Sequence, residues 1–260
     1  MPELNIGVQL RSLRMPLNKA LLTSRQLGAT AVELDARGEV KPRELSQTGL
    51  RQLRKKLDDL DLRVAAVSFR TRRGYDVTED LEARVAATKE TMRFAQSLGA
   101  SVVVNQVGRV PEEGAGPDWQ TLLAVLSDLG AYGNRVGAML AAETGSESET
   151  ALRRLLDALP EGAIGIDLNP GNLIVNGFSP LAAAQSLGPS ILHVHVKDAV
   201  HDLAQGRGVE VPVGRGSADF PALLGALEEY AYRGYFTIER NQAEDPVFEI
   251  GQAVKFLRSL

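Results

Sequence analysis

A single (β/α)8 barrel over residues 1–260 is the α/β fold this sequence predicts, on three observations. Eight short β-rich runs alternate with longer amphipathic stretches. The length suits one barrel of eight units, and no linker or low-complexity segment divides it. No glycine-rich phosphate fingerprint follows the first run, where Gly7-Val-Gln-Leu-Arg-Ser stands instead. That removes the usual sign of an open doubly wound sheet.

The runs occupy 5–10, 31–34, 63–69, 101–107, 136–143, 163–168, 191–196 and 235–239. Strand-then-helix repetition implies parallel strands joined by right-handed crossovers. Residues 42–60 and 78–98 read as helices; the second places Leu81, Val85, Thr88, Met92 and Ala95 on one face. Glycine stops are expected at Leu27-Gly28-Ala29, Leu98-Gly99-Ala100 and Tyr232-Arg233-Gly234-Tyr235. The Asp76–Asp80 segment and Ser217-Ala-Asp219 are expected to cap the helices that follow them. Residues 111–117, Pro-Glu-Glu-Gly-Ala-Gly-Pro, form the longest loop, either a lid or plain surface after strand four.

Composition narrows the function classes. A chain of 260 residues buries most of its apolar surface without staples. It has no cysteine, which excludes disulfides, thiolate metal sites and thiol nucleophiles. Its net charge of −4 disfavours a general nucleic-acid binder. No basic-then-apolar leader opens the chain, and no apolar run approaches the ~20 residues of a membrane span. The expectation is a soluble cytoplasmic protein acting on small molecules, without membrane or nucleic-acid partners.

Four polar residues close four late apolar runs: Glu143 in Ala-Ala-Glu-Thr-Gly, Asn169 in Ile-Asp-Leu-Asn-Pro-Gly-Asn, His195 in His-Val-His-Val-Lys-Asp and Glu239 in Phe-Thr-Ile-Glu-Arg. Parallel barrel strands end on one mouth, so these groups should converge. Two carboxylates, an amide oxygen and an imidazole suit Mn2+, Mg2+ or Co2+, with Zn2+ a further option. Such a cation polarises a carbonyl, and two glutamates flanking a substrate could take and return protons. Strand alternation puts Asp167 with Asn169, and His193 with His195; Asp167 facing the helices would be a costly unpaired charge, so it should point inward. Softer candidates are Lys197 and Asp198, extending strand seven, and His201 and Arg207 in the loop beyond. Asn105 and Gln106 end strand four. Gly214-Arg215-Gly216-Ser217 opens a helix, where Arg215 and backbone N–H groups could hold an anion; the alternative is a plain capped helix start.

At these residues the chain resembles the xylose isomerase-like barrels, specifically the sugar phosphate isomerase/epimerase group. The strongest section runs from Gly165 to Glu239 through Gly-Ile-Asp-Leu-Asn-Pro-Gly-Asn, His-Val-His-Val-Lys-Asp, Val-Pro-Val-Gly-Arg-Gly-Ser and Gly-Tyr-Phe-Thr-Ile-Glu-Arg. The resemblance implies metal ligands at Glu143, Asn169, His195 and Glu239, with the two glutamates as acid and base. The candidate substrate contacts at the mouth are Asp167, Asn172, His193, Lys197, His201, Arg207 and Arg215. The implied activity is isomerisation or epimerisation of a small sugar or hydroxy-carbonyl compound, with an inosose-type dehydratase or a non-catalytic carbohydrate-binding barrel as alternatives. A homodimer is the implied assembly. Two departures stand out. Where the family often reads Asn-x-Asp-Pro-Gly-Asn, this chain has Asp167 and Asn169 exchanged, so metal affinity should fall unless Asp167 helps. Asn172 replaces a histidine that often contacts sugar.

Overall fold

The computed structural model describes residues 4–111, 113–202 and 207–260, apart from the side chains of Asp202 and Arg207. In chain order the strands are β1 (Asn5–Gln9), β2 (Ala31–Asp35), β3 (Arg63–Ser68), β4 (Val102–Asn105), β5 (Met139–Glu143), β6 (Gly165–Leu168), β7 (Ile191–Val196), β8 (Asp198–Asp202), β9 (Arg207–Val211) and β10 (Tyr235–Ile238). All but β8 and β9 are parallel and close into an eight-stranded barrel, in which β10 pairs with both β7 and β1. The helices are α1 (Leu17–Gln26), α2 (Gln47–Asp59), α3 (Leu81–Ser97), α4 (Pro117–Val136), α5 (Glu149–Ala158), α6 (Pro170–Val175), α7 (Pro180–Leu187), α8 (Phe220–Glu229) and α9 (Pro246–Arg258). No helix among the described residues is long and apolar enough to cross a membrane.

Period-two alternation divides the strand side chains between two environments. Leu34, Val67, Val103, Leu140 and Ile166 belong to the main core with the helices. Ala66, Val102, Val104 and Ala141 form a separate small cluster, which alternation assigns to the barrel interior. The rest of that interior is polar: Gln9, Glu33, Asp167, His193, His195 and Thr237 are all buried. Close packing there demands Gly7, because a Cβ at that position would lie 2.8 Å from Thr237 Oγ1. The ladder slips by one residue at Val32/Glu33 and at Ile166/Asp167, next to two of these polar groups. Such irregularities re-aim side chains at a barrel rim.

The eight-unit fold matches the sequence expectation, and several local details differ. Lys197 and Asp198 do not extend strand seven. β7 stops at Val196, and Asp198 begins an antiparallel hairpin, β8–β9, absent from the sequence expectations. Residues 42–60 divide into a 3-10 turn, Pro42–Glu44, and α2, whose N-cap Ser46 accepts the Gly49 N–H. The expected cap near Asp76 is not made: α3 follows Asp80, at φ 53°, without a side-chain cap bond. Asp219 does cap α8, accepting the Ala222 N–H. Gly28 and Gly99 take the left-handed backbone expected of helix stops. The third stop falls earlier than Gly234: α8 ends at Glu229, and Ala231 carries the positive φ.

The Gly214–Ser217 turn does bind an anion, and that anion is Asp198. Its carboxylate accepts N–H groups from Ala199, Gly214, Gly216 and Ala218 at 2.8–3.0 Å. Arg215 N–H goes to Pro212 O, and Ser217 N–H to Ala199 O. No backbone donor in this turn remains for a ligand. Asp198→Ala should therefore loosen the 212–218 segment and cost about 3 kcal/mol, the order expected for hydrogen bonds to a buried charge. Amide exchange at Gly214, Gly216 and Ala218 should accelerate together; unchanged protection would reject this role.

Candidate active site at the barrel mouth

Glu143 and Glu239 arrive at the mouth from opposite arcs of the barrel. Glu143 ends β5, and Glu239 follows β10. Asn169 stands between them at the start of α6. Its Nδ2 donates to Glu143 Oε1 at 3.0 Å and to Glu239 Oε2 at 2.8 Å. Its Oδ1 caps α6 by accepting the Asn172 N–H at 3.0 Å. Thus the amide presents hydrogens to both carboxylates and spends its oxygen on the helix. Asn172 Nδ2 adds a second donor to Glu143 Oε1 at 2.9 Å.

The two glutamates differ in their cations. Glu239 receives Arg70 Nη2 at 3.1 Å, Asn241 Nδ2 at 2.7 Å and Lys197 Nζ at 3.5 Å. Burial opposes its ionisation, but Lys197, His195 and Arg70 together hold its carboxyl well below the usual range. Glu143 has no cation in direct contact among the described residues. Burial first, and the negative charge of Glu239 second, push it up to about 7. Glu239 is thus held ionised, whereas Glu143 titrates near neutrality.

Below them lies a chain of buried groups. Asp167 accepts from His193 Nδ1 at 2.8 Å and contacts His195 Nδ1 at 2.6 Å. The far side of His195, Nε2, lies 2.7 Å from Glu33 Oε2, and His193 Nε2 lies 2.8 Å from Thr237 Oγ1. Gln9 Nε2 donates to Glu33 Oε1 at 3.0 Å. Burial disfavours a charged His195, yet the flanking Asp167 and Glu33 raise its pKa well above the ordinary value. Those carboxylates are lowered in return despite their own burial, chiefly by His195. His195 is thus held as an imidazolium between two anions.

Ligand atoms of Glu143, His195 and Glu239 all lie within 4.8 Å of one another. Two carboxylates and a neutral imidazole at that spacing would fit a divalent cation. Both nitrogens of His195 are bonded to Asp167 and Glu33, so a cation there would have to displace a proton and one of those bonds. Asn169 lies at the same place but would have to turn its amide over, giving up the α6 cap, to offer oxygen. A second group, Glu33, His193 and His195, also meets the spacing; it shares His195 with the first, and its members too are bonded to neighbours.

Asp167, Asn172, His193 and Lys197 lie with the glutamates or directly beneath them. His201 is exposed on the β8–β9 hairpin, away from this network. Arg215 is exposed and lines a different cleft with α9. The side chain of Arg207 falls outside the described residues. Asn105 turns aside to Thr71 and Tyr75, which fixes the loop after β3. Glu33, Gln9, Arg70, Glu210 and Asn241 are site residues absent from the sequence expectations. Glu33 was legible: a carboxylate inside Ala-Val-Glu-Leu-Asp invites the same inward reading as Asp167. Arg70 and Asn241 sit in loops, where no periodicity marks a direction. Glu210 reaches the site from β9, holding Arg240 Nη1 at 2.6 Å and the Asn241 N–H at 2.8 Å.

A closed β/α barrel with carboxylates, imidazole and amide gathered at its carboxyl-end rim defines a class of small-molecule barrel proteins. Residues 22–260 match the family model described as xylose isomerase-like TIM barrel. The chain belongs to that family. It is 26% identical over 258 residues to the rhizopine catabolism protein MocC of Rhizobium meliloti, covering 87% of this chain and 75% of that protein. It is 24% identical over 228 residues to the inosose dehydratase of Clostridium perfringens, covering 73% of each. Among solved structures, a xylose isomerase domain protein from Planctomyces limnophilus superposes with a TM-score of 0.86 at 25% identity, covering 99% of this chain and 97% of that one. A xylose isomerase-like barrel from Mycobacterium smegmatis, in complex with magnesium, gives 0.81 at 17% identity, covering 99% and 96%. A D-psicose 3-epimerase, with D-fructose present, gives 0.79 at 13% identity, covering 98% and 99%. The last two likenesses bear on the fold alone.

Proposed function

We propose that this protein is a divalent-metal-dependent isomerase or epimerase of a small sugar or related hydroxy-carbonyl compound, with Glu143 and Glu239 as the proton-transfer pair. The observation that carries this reading is the pair of buried glutamates meeting at one amide, with unlike surroundings that drive their protonation apart. Glu239, ionised among Arg70, Lys197 and Asn241, is suited to accept a proton. Glu143, titrating near neutrality, is suited to hold and return one. A cation held by Glu143, Glu239 and a deprotonated His195 would stabilise negative charge developing on the substrate beside its carbonyl. Asn172 and Lys197 line the same mouth and would orient hydroxyl groups.

Dehydration is the second reading, favoured by the 24% identity to inosose dehydratase. Proton removal beside a carbonyl followed by loss of a β-hydroxyl uses the same base. Both readings are tested by incubating the protein with Mg2+, Mn2+ or Co2+ and a panel of ketohexoses and inososes in D2O. Isomerase or epimerase action gives deuterium incorporation without change of formula. Dehydration gives a new absorbing enone. No exchange and no enone across the panel, with cation bound, would reject both.

Proton and cation compete for Glu143. Below about pH 7 a cation must displace that proton as well as the one on His195, so divalent affinity should weaken by up to about a hundredfold per pH unit as pH falls. Above that pH the dependence should become shallower, because only the proton on His195 remains to be displaced. Asn169→Asp, which replaces an N–H donor by an anionic oxygen, should tighten binding. Calorimetric titrations with Mn2+ from pH 5.5 to 8.5 check both, and a pH-independent affinity would refute the competition.

A further inference from the structure

We propose that a cleft separate from the barrel mouth binds a small molecule carrying a phosphoryl group. This inference does not depend on the proton-transfer reading. The cleft lies between the loops after β2 and β3 and the first half of α3, with a volume of about 790 Å³. That volume suits a small-molecule ligand. In a chain of net charge −4 it is lined by six cations: Arg37, Lys41, Arg43, Arg72, Arg73 and Arg84. Three are neutralised in place, Lys41 by Glu44, Arg43 by Glu90 and Arg73 by Glu79.

The other three face one remaining acid, Asp80. Arg72 is exposed and makes no hydrogen bond or ion pair among the described residues. Arg37 gives Nη1 to Arg70 O at 2.8 Å, and its guanidinium lies 6.0 Å from the Phe69 ring centroid. Its partners leave further donors available. Arg84 donates to the carbonyls of Glu79 and Val77, and its buried Nε has no acceptor. Guanidinium forks match phosphoryl oxygens in geometry and charge. Ala36, Phe69 and Ala87 add apolar lining against which the body of such a ligand can rest.

The loop after β3 acts as a partition. Arg70 reaches Glu239 in the barrel mouth, while Phe69, Thr71 and Arg72 line the cleft. A ligand held there would occupy its own site, next to the segment that carries Arg70.

Equilibrium dialysis at low ionic strength tests the proposal with inorganic phosphate, AMP and adenosine as probes. Phosphate and AMP should saturate, adenosine should not, and affinity should fall as salt is added. Arg72→Ala, at a side chain with no partner to lose, should weaken AMP binding several-fold, and R37A/R72A at least tenfold. Asp80→Asn should strengthen it, and Arg215→Ala, on a different cleft, should leave it unchanged. Thermal unfolding of each variant verifies that it is folded. Absence of saturation by both phosphate and AMP, native affinity in R72A and R37A/R72A, or adenosine binding as tightly as AMP would each overturn the assignment.

Discussion

Glu239→Gln should lower substrate deuterium exchange by about 10²–10⁴-fold, the usual contribution of a positioned acid–base group. The side chain is 1% exposed and is addressed by Arg70, Lys197, Asn241 and Asn169. Gln preserves the shape but removes the charge that these donors were assembled to hold. The new amide has one acceptor oxygen, so it could serve either Asn169 or the Arg70, Lys197 and Asn241 donors, but not both. Glu143→Gln should slow the same exchange and also flatten the pH dependence near 7. The two variants are separable because their native surroundings differ: cations at Glu239, amides alone at Glu143. Exchange by E239Q within threefold of the native rate, in folded protein, would remove Glu239 from the mechanism.

The largest expected loss of stability belongs to Asp167→Ala. Asp167 is fully buried and bonded to both histidines of β7. Removing one partner from a buried ionic network costs about 3–5 kcal/mol, here because the buried Nδ1 groups of both histidines lose their acceptor. His195 would keep Glu33 alone, and His193 would keep only Thr237. Urea unfolding should show the full loss, and a midpoint equal to the native one would contradict the network. The pH signs follow from the same contacts. The depressed carboxyl of Asp167 stabilises the fold above its ordinary range near 4 and loses that contribution as pH falls through the lowered value. The raised pKa of His195 contributes below 6.5, and that contribution is lost as pH climbs through the elevated value.

Alternation on short apolar strands made the barrel readable, because a side-chain period of two leaves little freedom once one face must be buried. It also placed Asp167, His193 and His195 together without any knowledge of their partners. Other groups were illegible for local reasons. Arg70 follows a strand end, where direction depends on a loop held by Asn105 and Thr71. Glu210 belongs to a hairpin between β7 and α8, a departure from strand–helix repetition that no pattern in the flanking elements requires. Asp198 reads as a mouth residue in the sequence, yet its carboxylate is consumed by the turn that it folds.

Periodicity and the chemistry of single side chains thus determined the barrel, its inward face and four of the groups at its rim. Tertiary structure alone decided how those groups are used. It turned the Asn169 amide nitrogen toward both glutamates, surrounded only Glu239 with cations, and set His195 between Glu33 and Asp167. The physical reason is range. Burial and alternation act along a few residues of chain, whereas hydrogen-bond direction and charge compensation depend on atoms that folding brings within 3 Å from distant strands.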